Sequence, residues 1–389
     1  MTALGPQERR VLDWLAGQRQ AMQALLAALV DIDSGSYNKA GVDRAGAAIR
    51  AFLDRHGVAY EVIANDKFGD AIRAFVGAPG ERNILLMGHR DTVYPDGEAA
   101  RRPFRSDGAR GYGPGAADMK AGLAMNCFVA AAFQALGGAP APLVALFTAD
   151  EEIGSPSSRA LIEREARRAR FVLNAEPGRP GNAVVTGRKA CVFMRFEIKG
   201  KAAHAGANFE QGASAINELA HKVVALQALT DLARGITVNV GVVAGGQTVN
   251  TVAPAARGEM DLRYIDPADR DATLAKVAAI MARASVPGTA AAYEIYAEFP
   301  PLVQGADGKR LFELYAESAR ALGESVTGLF TGGCSDAGFA ASAGAPTLCA
   351  VGPIGAHTHS PDEYVELASL VPRAQTLALT IMRGAAEFA

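Results

Sequence analysis

Residues 84–92 read ILLMGHRDT, and the fold turns on that stretch. The four apolar residues Ile84 to Met87 form a short continuous run, as a strand buried on both faces of a parallel sheet does. Gly88 closes the run, and His89 and Asp91 follow two apart. In open α/β sheets ligands bind just beyond the carboxyl ends of the strands. A histidine and an aspartate placed there suit a metal ligand and the neighbour that orients it. A His-x-Asp triplet arises often by chance, so its weight comes from later segments of the same kind.

Working outward, residues 143–148 form a second buried run that ends at Ala149-Asp150-Glu151-Glu152. Residues 171–174 form a third, ending at Glu176, and 347–351 lead into a loop bearing His357 and His359. Residues 60–63 and 71–76 also read as strands. Helical patterns occupy residues 43–55, 118–136, 155–168, 308–322, 335–343 and 367–386. That alternation predicts an α/β domain, with a mainly parallel sheet sandwiched by helices. The Gly- and Pro-rich segment 95–115 is long for a connection, and such loops are usually functional.

Near Gly187 the texture changes. CVFMRFEI (191–198) largely alternates apolar and polar residues, the period of a sheet with one solvated face. Strands at 236–243, 256–264 and 291–299 and helices at 213–229 and 267–284 complete a β-α-β-β-α-β order. Residues 188–300 are therefore read as an inserted α+β domain, and 1–187 with 301–389 as the domain carrying the chemistry.

The 389 residues carry 39 Lys+Arg against 41 Asp+Glu, a net charge of −2 that argues against nucleic acid or an anionic membrane as main partner. No apolar run approaches the roughly 18 residues of a membrane span. The first 29 residues have charges scattered through their apolar positions. They read as one amphipathic helix, and no signal peptide is expected. Cys127, Cys191, Cys334 and Cys349 are far apart without a Cys-x-x-Cys pair, which suits a reduced, cytoplasmic chain.

Five potential ligands stand at or just beyond strand ends: His89, Asp118, Glu152, Glu176 and His359. Two imidazoles with three carboxylates suit a pair of zinc ions. Glu151 beside Glu152 allows one carboxylate to bind metal while its neighbour accepts a proton from water. Each residue has a plain alternative. A loop histidine is commonly solvated, acidic residues favour helix N-termini, and Asp118 could be an N-cap. Their coincidence on one predicted sheet edge favours the metal reading.

The segments GHRDTV, GPGAADMKAG, TADEEIGS, NAEP, KAAHAG, TGGCSDAGF and HSPDEYV resemble those of the di-zinc aminoacylase and carboxypeptidase family. The similarity runs in order from about residue 20 to the end, and is strongest to the glutamate carboxypeptidases of the carboxypeptidase G type. It implies two zinc ions per chain, one on His89 and Glu176, the other on Glu152 and His359, with Asp118 bridging. It also implies Glu151 as general base, Asp91 holding the His89 ring, and a cis peptide between Asp118 and Met119. His204 would stabilise the oxyanion, reaching across from a partner subunit's small domain, so that a homodimer formed by a lid and dimerisation domain is expected. Arg263 and Asn250 would grip the substrate, and Gly333 and Cys334 would line a loop whose backbone N–H groups receive a carboxylate. Arg263 has an alternative as a strand-face charge paired with Asp261 or Glu259. Arg188 and Lys189 add positive charge that would either favour an acidic side chain or line a hinge. The implied activity is hydrolysis of an N-acyl amino acid or short peptide at an amide next to a free carboxylate. A deacylase of the acetylornithine deacetylase or desuccinylase type is the alternative.

Overall fold

A computed structural model describes residues 4–78 and 80–388. The chain divides into two compact units, one of residues 1–187, 304–331 and 335–389, the other of 188–303 and 332–334.

In the first unit an eight-stranded sheet runs in the order Ala59–Ile63, Ala71–Val76, Leu143–Thr148, Asn83–His89, Ala169–Asn174, Thr347–Cys349, Ala183–Arg188, Thr327–Thr331. The four strands from Leu143–Thr148 to Thr347–Cys349 are mutually parallel. Ala71–Val76 and Ala183–Arg188 pair antiparallel against this block. Asn83–His89 and Leu143–Thr148 are buried at every residue, as strands covered on both faces must be.

Helix Ala121–Ala135 is apolar on all sides and buried from Ala121 through Phe133. A helix without a polar face has to lie in the core. Its start approaches the sheet so closely that a Cβ on Gly122 would come within 2.0 Å of the Ala175 carbonyl oxygen. Glycine there is a packing requirement.

Several local features depart from the sequence reading. The N-terminal helix is two, Pro6–Ala16 and Arg19–Val30, broken at Gly17. The helix expected from residue 118 begins only at Ala121, since Asp118 and Met119 are not helical; the cis peptide between those two is the one the resemblance implied. The helix expected over 155–168 is shorter, Arg159–Arg167, and follows a single turn at Glu151–Ile153. The 95–115 segment is not structureless. Its strands Arg105–Ser106 and Arg110–Tyr112 join Tyr364–Glu366 and Gly355–Ala356 in a small antiparallel sheet.

The second unit is a four-stranded antiparallel sheet in the order Thr237–Gly245, Ala255–Tyr264, Ala190–Lys199, Ala290–Phe299. Helices Ala215–Gln227 and Ala268–Ala282 complete the β-α-β-β-α-β order. Alternate residues of the inner strands, such as Val192, Met194, Phe196 and Leu262, pack with Leu219, Leu226, Val277 and Met281 of the helices. One sheet face is thereby buried.

Candidate metal centre

The parallel block sets the positions of the candidate donors. His89 ends its strand paired with Thr148, and Met87 pairs with Asn174. Glu151 and Glu152 follow Thr148 by three and four residues, and Glu176 follows Asn174 by two. Three neighbouring strands pointing the same way therefore deliver an imidazole and three carboxylates to one edge.

Asp118 sits between two histidines. Its Oδ1 lies 3.2 Å from His89 Nε2, and its Oδ2 lies 3.4 Å from His359 Nε2. His89 Nε2 is also 3.7 Å from Glu176 Oε1, and His359 Nε2 is 3.3 Å from Glu152 Oε2. Each imidazole thus shares Asp118 and adds one glutamate of its own. Ligand-capable atoms of His89, Asp118 and Glu152 form one close cluster, and those of His89, Glu151 and Glu176 another.

His89 Nδ1 lies 3.0 Å from the Asp91 carbonyl oxygen and 3.4 Å from Asp91 Oδ1. An imidazole whose Nδ1 carries the hydrogen turns its Nε2 lone pair toward Asp118 and Glu176. Lone pairs face lone pairs there unless a proton or a metal cation lies between them. The buried Glu152 Oε1 has no hydrogen-bond partner, a second sign that the donor set is built around a positive charge. Imidazole nitrogens with carboxylate oxygens are the donors that zinc takes.

The proton affinities carry the same signature. Hydrogen bonds to Asp118 and then Glu152 push His359 up to about 10. Burial, with the Asp118 charge adding to it, pushes Glu152 up to about 7. Burial also raises the Glu151 carboxyl well above the usual range, and the charges of Glu176, Glu152 and Asp336 add to it against the opposing pull of His89.

Two acidic residues organise this edge. Asp91, fully buried, accepts from the Glu151 and Glu152 backbone N–H groups at 3.1 Å each and from Ser36 Oγ at 2.7 Å. It thus fixes the turn that carries both glutamates, besides standing beside His89. Glu363, also fully buried, accepts from the N–H groups of Ala117 and Asp118 at 2.9 Å each, from Gly115 at 3.2 Å and from the Tyr94 hydroxyl at 2.7 Å. The motif HSPDEYV contains Glu363, yet nothing in its sequence context marks it as the clamp on the Asp118 turn. His359 lies in the same segment, four residues earlier. Its backbone is left-handed at φ 61°, a conformation that costs a non-glycine residue on the order of 1 kcal/mol. His357 is exposed, and its ring lies tilted at 47° to that of Tyr364 with centroids 5.7 Å apart.

His204, Asn250, Arg263, Gly333 and Cys334 belong to the second unit. His204 is exposed, and its Nδ1 accepts from the N–H groups of Gly206 and Ala207 at 3.1 Å each. That geometry leaves Nε2 as the hydrogen-bearing donor nitrogen. Asn250 is exposed, and its side-chain oxygen accepts from Thr248 Oγ1. Arg263 pairs through Nε with Asp261 at 2.9 Å and donates to the Gly332 carbonyl at 2.9 Å. Arg188 donates to the Gly333 and Cys334 carbonyls at 3.1 Å each, and Lys189 to the Gly235 carbonyl at 2.7 Å. Both side chains thus hold backbone.

The model of peptidase family M20/M25/M40 matches residues 85–383. Carboxypeptidase G2 of Pseudomonas sp. (strain RS-16) is 32% identical over 98% of this chain and 94% of its own length. An acetylornithine deacetylase of Myxococcus xanthus is 33% identical over 63% of this chain and 67% of its own. Among solved structures, an M20 family metallo-carboxypeptidase from Sulfolobus solfataricus superposes with a TM-score of 0.77 at 16% identity, covering 94% of this chain and 99% of that one. A tripeptidase from Staphylococcus aureus gives 0.76 at 22%, covering 95% and 99%. These two share the fold.

Proposed function

Because the chain belongs to peptidase family M20/M25/M40, and is a hydrolase of the metallopeptidase class, we propose that it cleaves the amide that joins a C-terminal glutamate, or a related amino acid, to its acyl partner. The observation that carries the reading is Asp118, whose two oxygens face two imidazoles, each with a further glutamate. His89 and Glu176 would hold one zinc, Glu152 and His359 the other, with Asp118 shared. When bound, the two cations supply Lewis acidity, making water more acidic and the scissile carbonyl more electrophilic.

The chain's own residues supply the rest. Glu151 accepts the proton of the attacking water and returns it to the departing amine, a role its place in one cluster with His89 and Glu176 supports. Asp91 keeps Glu151 and Glu152 in place through their backbone N–H groups. His204, with Nδ1 occupied by two N–H groups, offers Nε2–H to the developing oxyanion. Arg263, Asn250, Gly333 and Cys334 receive the substrate's free carboxylate. The second unit serves as lid and dimerisation surface of a homodimer, a reading that a sedimentation mass of one 40.4 kDa chain would overturn. Four cysteines spread along the chain without a Cys-x-x-Cys pair favour the cytoplasm, which cell fractionation tests. No helix among the described residues is long and apolar enough to cross a membrane.

The test is elemental analysis beside hydrolysis of N-acyl-glutamates, for wild type and Glu151→Gln. About two metals per chain in both, with turnover lost in the variant by roughly a hundredfold or more, is the expected result. Near-zero metal that added zinc fails to restore would sink the reading. A second reading, deacylation of acetyl or succinyl amino acids, draws on the identity to acetylornithine deacetylase. Faster turnover of those substrates than of N-acyl-glutamates would select it.

A further inference from the structure

Cys191 and Cys334 are 143 residues apart in sequence, yet their sulfurs lie 2.9 Å from each other within the second unit. Cys191 is fully buried in strand Ala190–Lys199, whereas Cys334 is half-buried beside the exposed Gly332 and Gly333. The short segment 332–334 is held to its unit by guanidinium groups on its carbonyls, Arg263 on Gly332 and Arg188 on Gly333 and Cys334. We propose that this pair is an oxidation site, at which a peroxide-class oxidant makes a reversible Cys191–Cys334 disulfide that pins the 332–334 segment and slows turnover. The slowing rests on the substrate role proposed above for Gly333 and Cys334; the linkage does not.

The chemistry assigns each sulfur a part. The hydrogen bond from Cys191, and then the Arg263 and Arg188 charges, hold the Cys334 thiol below the usual range, whereas the same pairing and burial push Cys191 up. Cys334 is therefore the thiolate that meets oxidant, and Cys191 the resolving thiol. The Cys334 thiolate attacks one peroxide oxygen, the O–O bond breaks, and a sulfenic acid and hydroxide result. Cys191 gives up its proton and attacks the Cys334 sulfur. The S–S bond forms, the S–O bond breaks, and the leaving hydroxide takes the proton. Two thiols and one peroxide become one disulfide and two waters, the sulfurs oxidised and the peroxide reduced. A disulfide needs sulfurs about 2.05 Å apart, so closure from contact draws the segment inward by about an ångström.

The experiment treats the full-length, metal-loaded protein with hydrogen peroxide and reads linkage by peptide mass and function by kcat/KM. The expected result is a Cys191–Cys334 linked peptide and a fall in kcat/KM of roughly tenfold or more, the scale of an ångström misplacement in a site. Dithiothreitol should restore both, with metal content constant. Cys191→Ala, which leaves the substrate-binding residues intact, should match reduced wild type before treatment. With peroxide its Cys334 should pass on to the sulfinic acid, beyond rescue by dithiothreitol. Absence of the linked peptide overturns the site, and a linked protein as active as the reduced one overturns the regulation. If reduced protein hydrolyses no N-acyl amino acid, the substrate reading and the regulation fall together, while the linked peptide alone still decides the site.

Discussion

Glu363→Gln tests whether the Asp118 turn is held from outside the donor set. The carboxylate receives three backbone N–H groups and one hydroxyl; the bonds from Gly115 and Ala117 are buried, those from Asp118 and Tyr94 half-buried. The glutamine amide keeps its oxygen on Ala117 and Asp118 and turns its NH2 group toward Gly115 and Tyr94. The Tyr94 hydroxyl can rotate to accept, since the Ser360 carbonyl 2.8 Å away takes its proton instead. Gly115 N–H then faces a donor, and leaving a buried N–H unpaired costs about 1–3 kcal/mol. The two remaining bonds lose their charge assistance, roughly another 1 kcal/mol in all. A loss of about 3 kcal/mol lowers Tm by roughly 6–12 °C in a unit of this size. If half falls on the placement of Asp118, metal affinity drops about tenfold. Differential scanning calorimetry and chelator competition read the two effects. A variant with unchanged Tm and unchanged metal affinity would refute the clamp.

Three further substitutions follow from the geometry. Asp91→Asn sets an amide NH2 against the N–H of Glu151 or Glu152, costing about 1–3 kcal/mol and lowering kcat in steady-state assays. His204→Ala should lower kcat by about 100-fold or more, the usual effect of one oxyanion donor, with metal content by elemental analysis unchanged. Gly122→Ala drives a methyl into the Ala175 carbonyl and should destabilise by about 3 kcal/mol in denaturant titration; a neutral result would mean the helix start shifts freely.

The parallel block and its strand-end histidine and glutamates were legible because a strand covered on both faces is a continuous apolar run, and Ile84–Met87 is one. The β-α-β-β-α-β order was legible from the alternation in 191–198. What escaped notice depends on distant pairing. Strands Ala183–Arg188 and Thr327–Thr331 are mixed in composition and are defined by their neighbours. The two- and three-residue strands of the small sheet are too short to show a period. The cis peptide at Asp118-Met119 was legible only through the family resemblance; that Glu363 receives the Asp118 N–H group from 245 residues away was not, because nothing local to either residue announces the pairing. The nearness of Cys191 and Cys334 follows from the fold alone.

The parallel register of Leu143–Thr148, Asn83–His89 and Ala169–Asn174 acts as a ruler. Neighbouring strands stand about 4.8 Å apart whatever their side chains, because backbone hydrogen bonds set the pitch. The lateral spacing of the residues that follow Thr148, His89 and Asn174 is therefore graduated by backbone, and a slip by one residue would turn each strand's side chains to the opposite face. Changes in the loops or in the second unit would leave this spacing untouched, because the backbone pairing that sets it lies elsewhere. In this chain that yardstick carries His89, Glu151, Glu152 and Glu176.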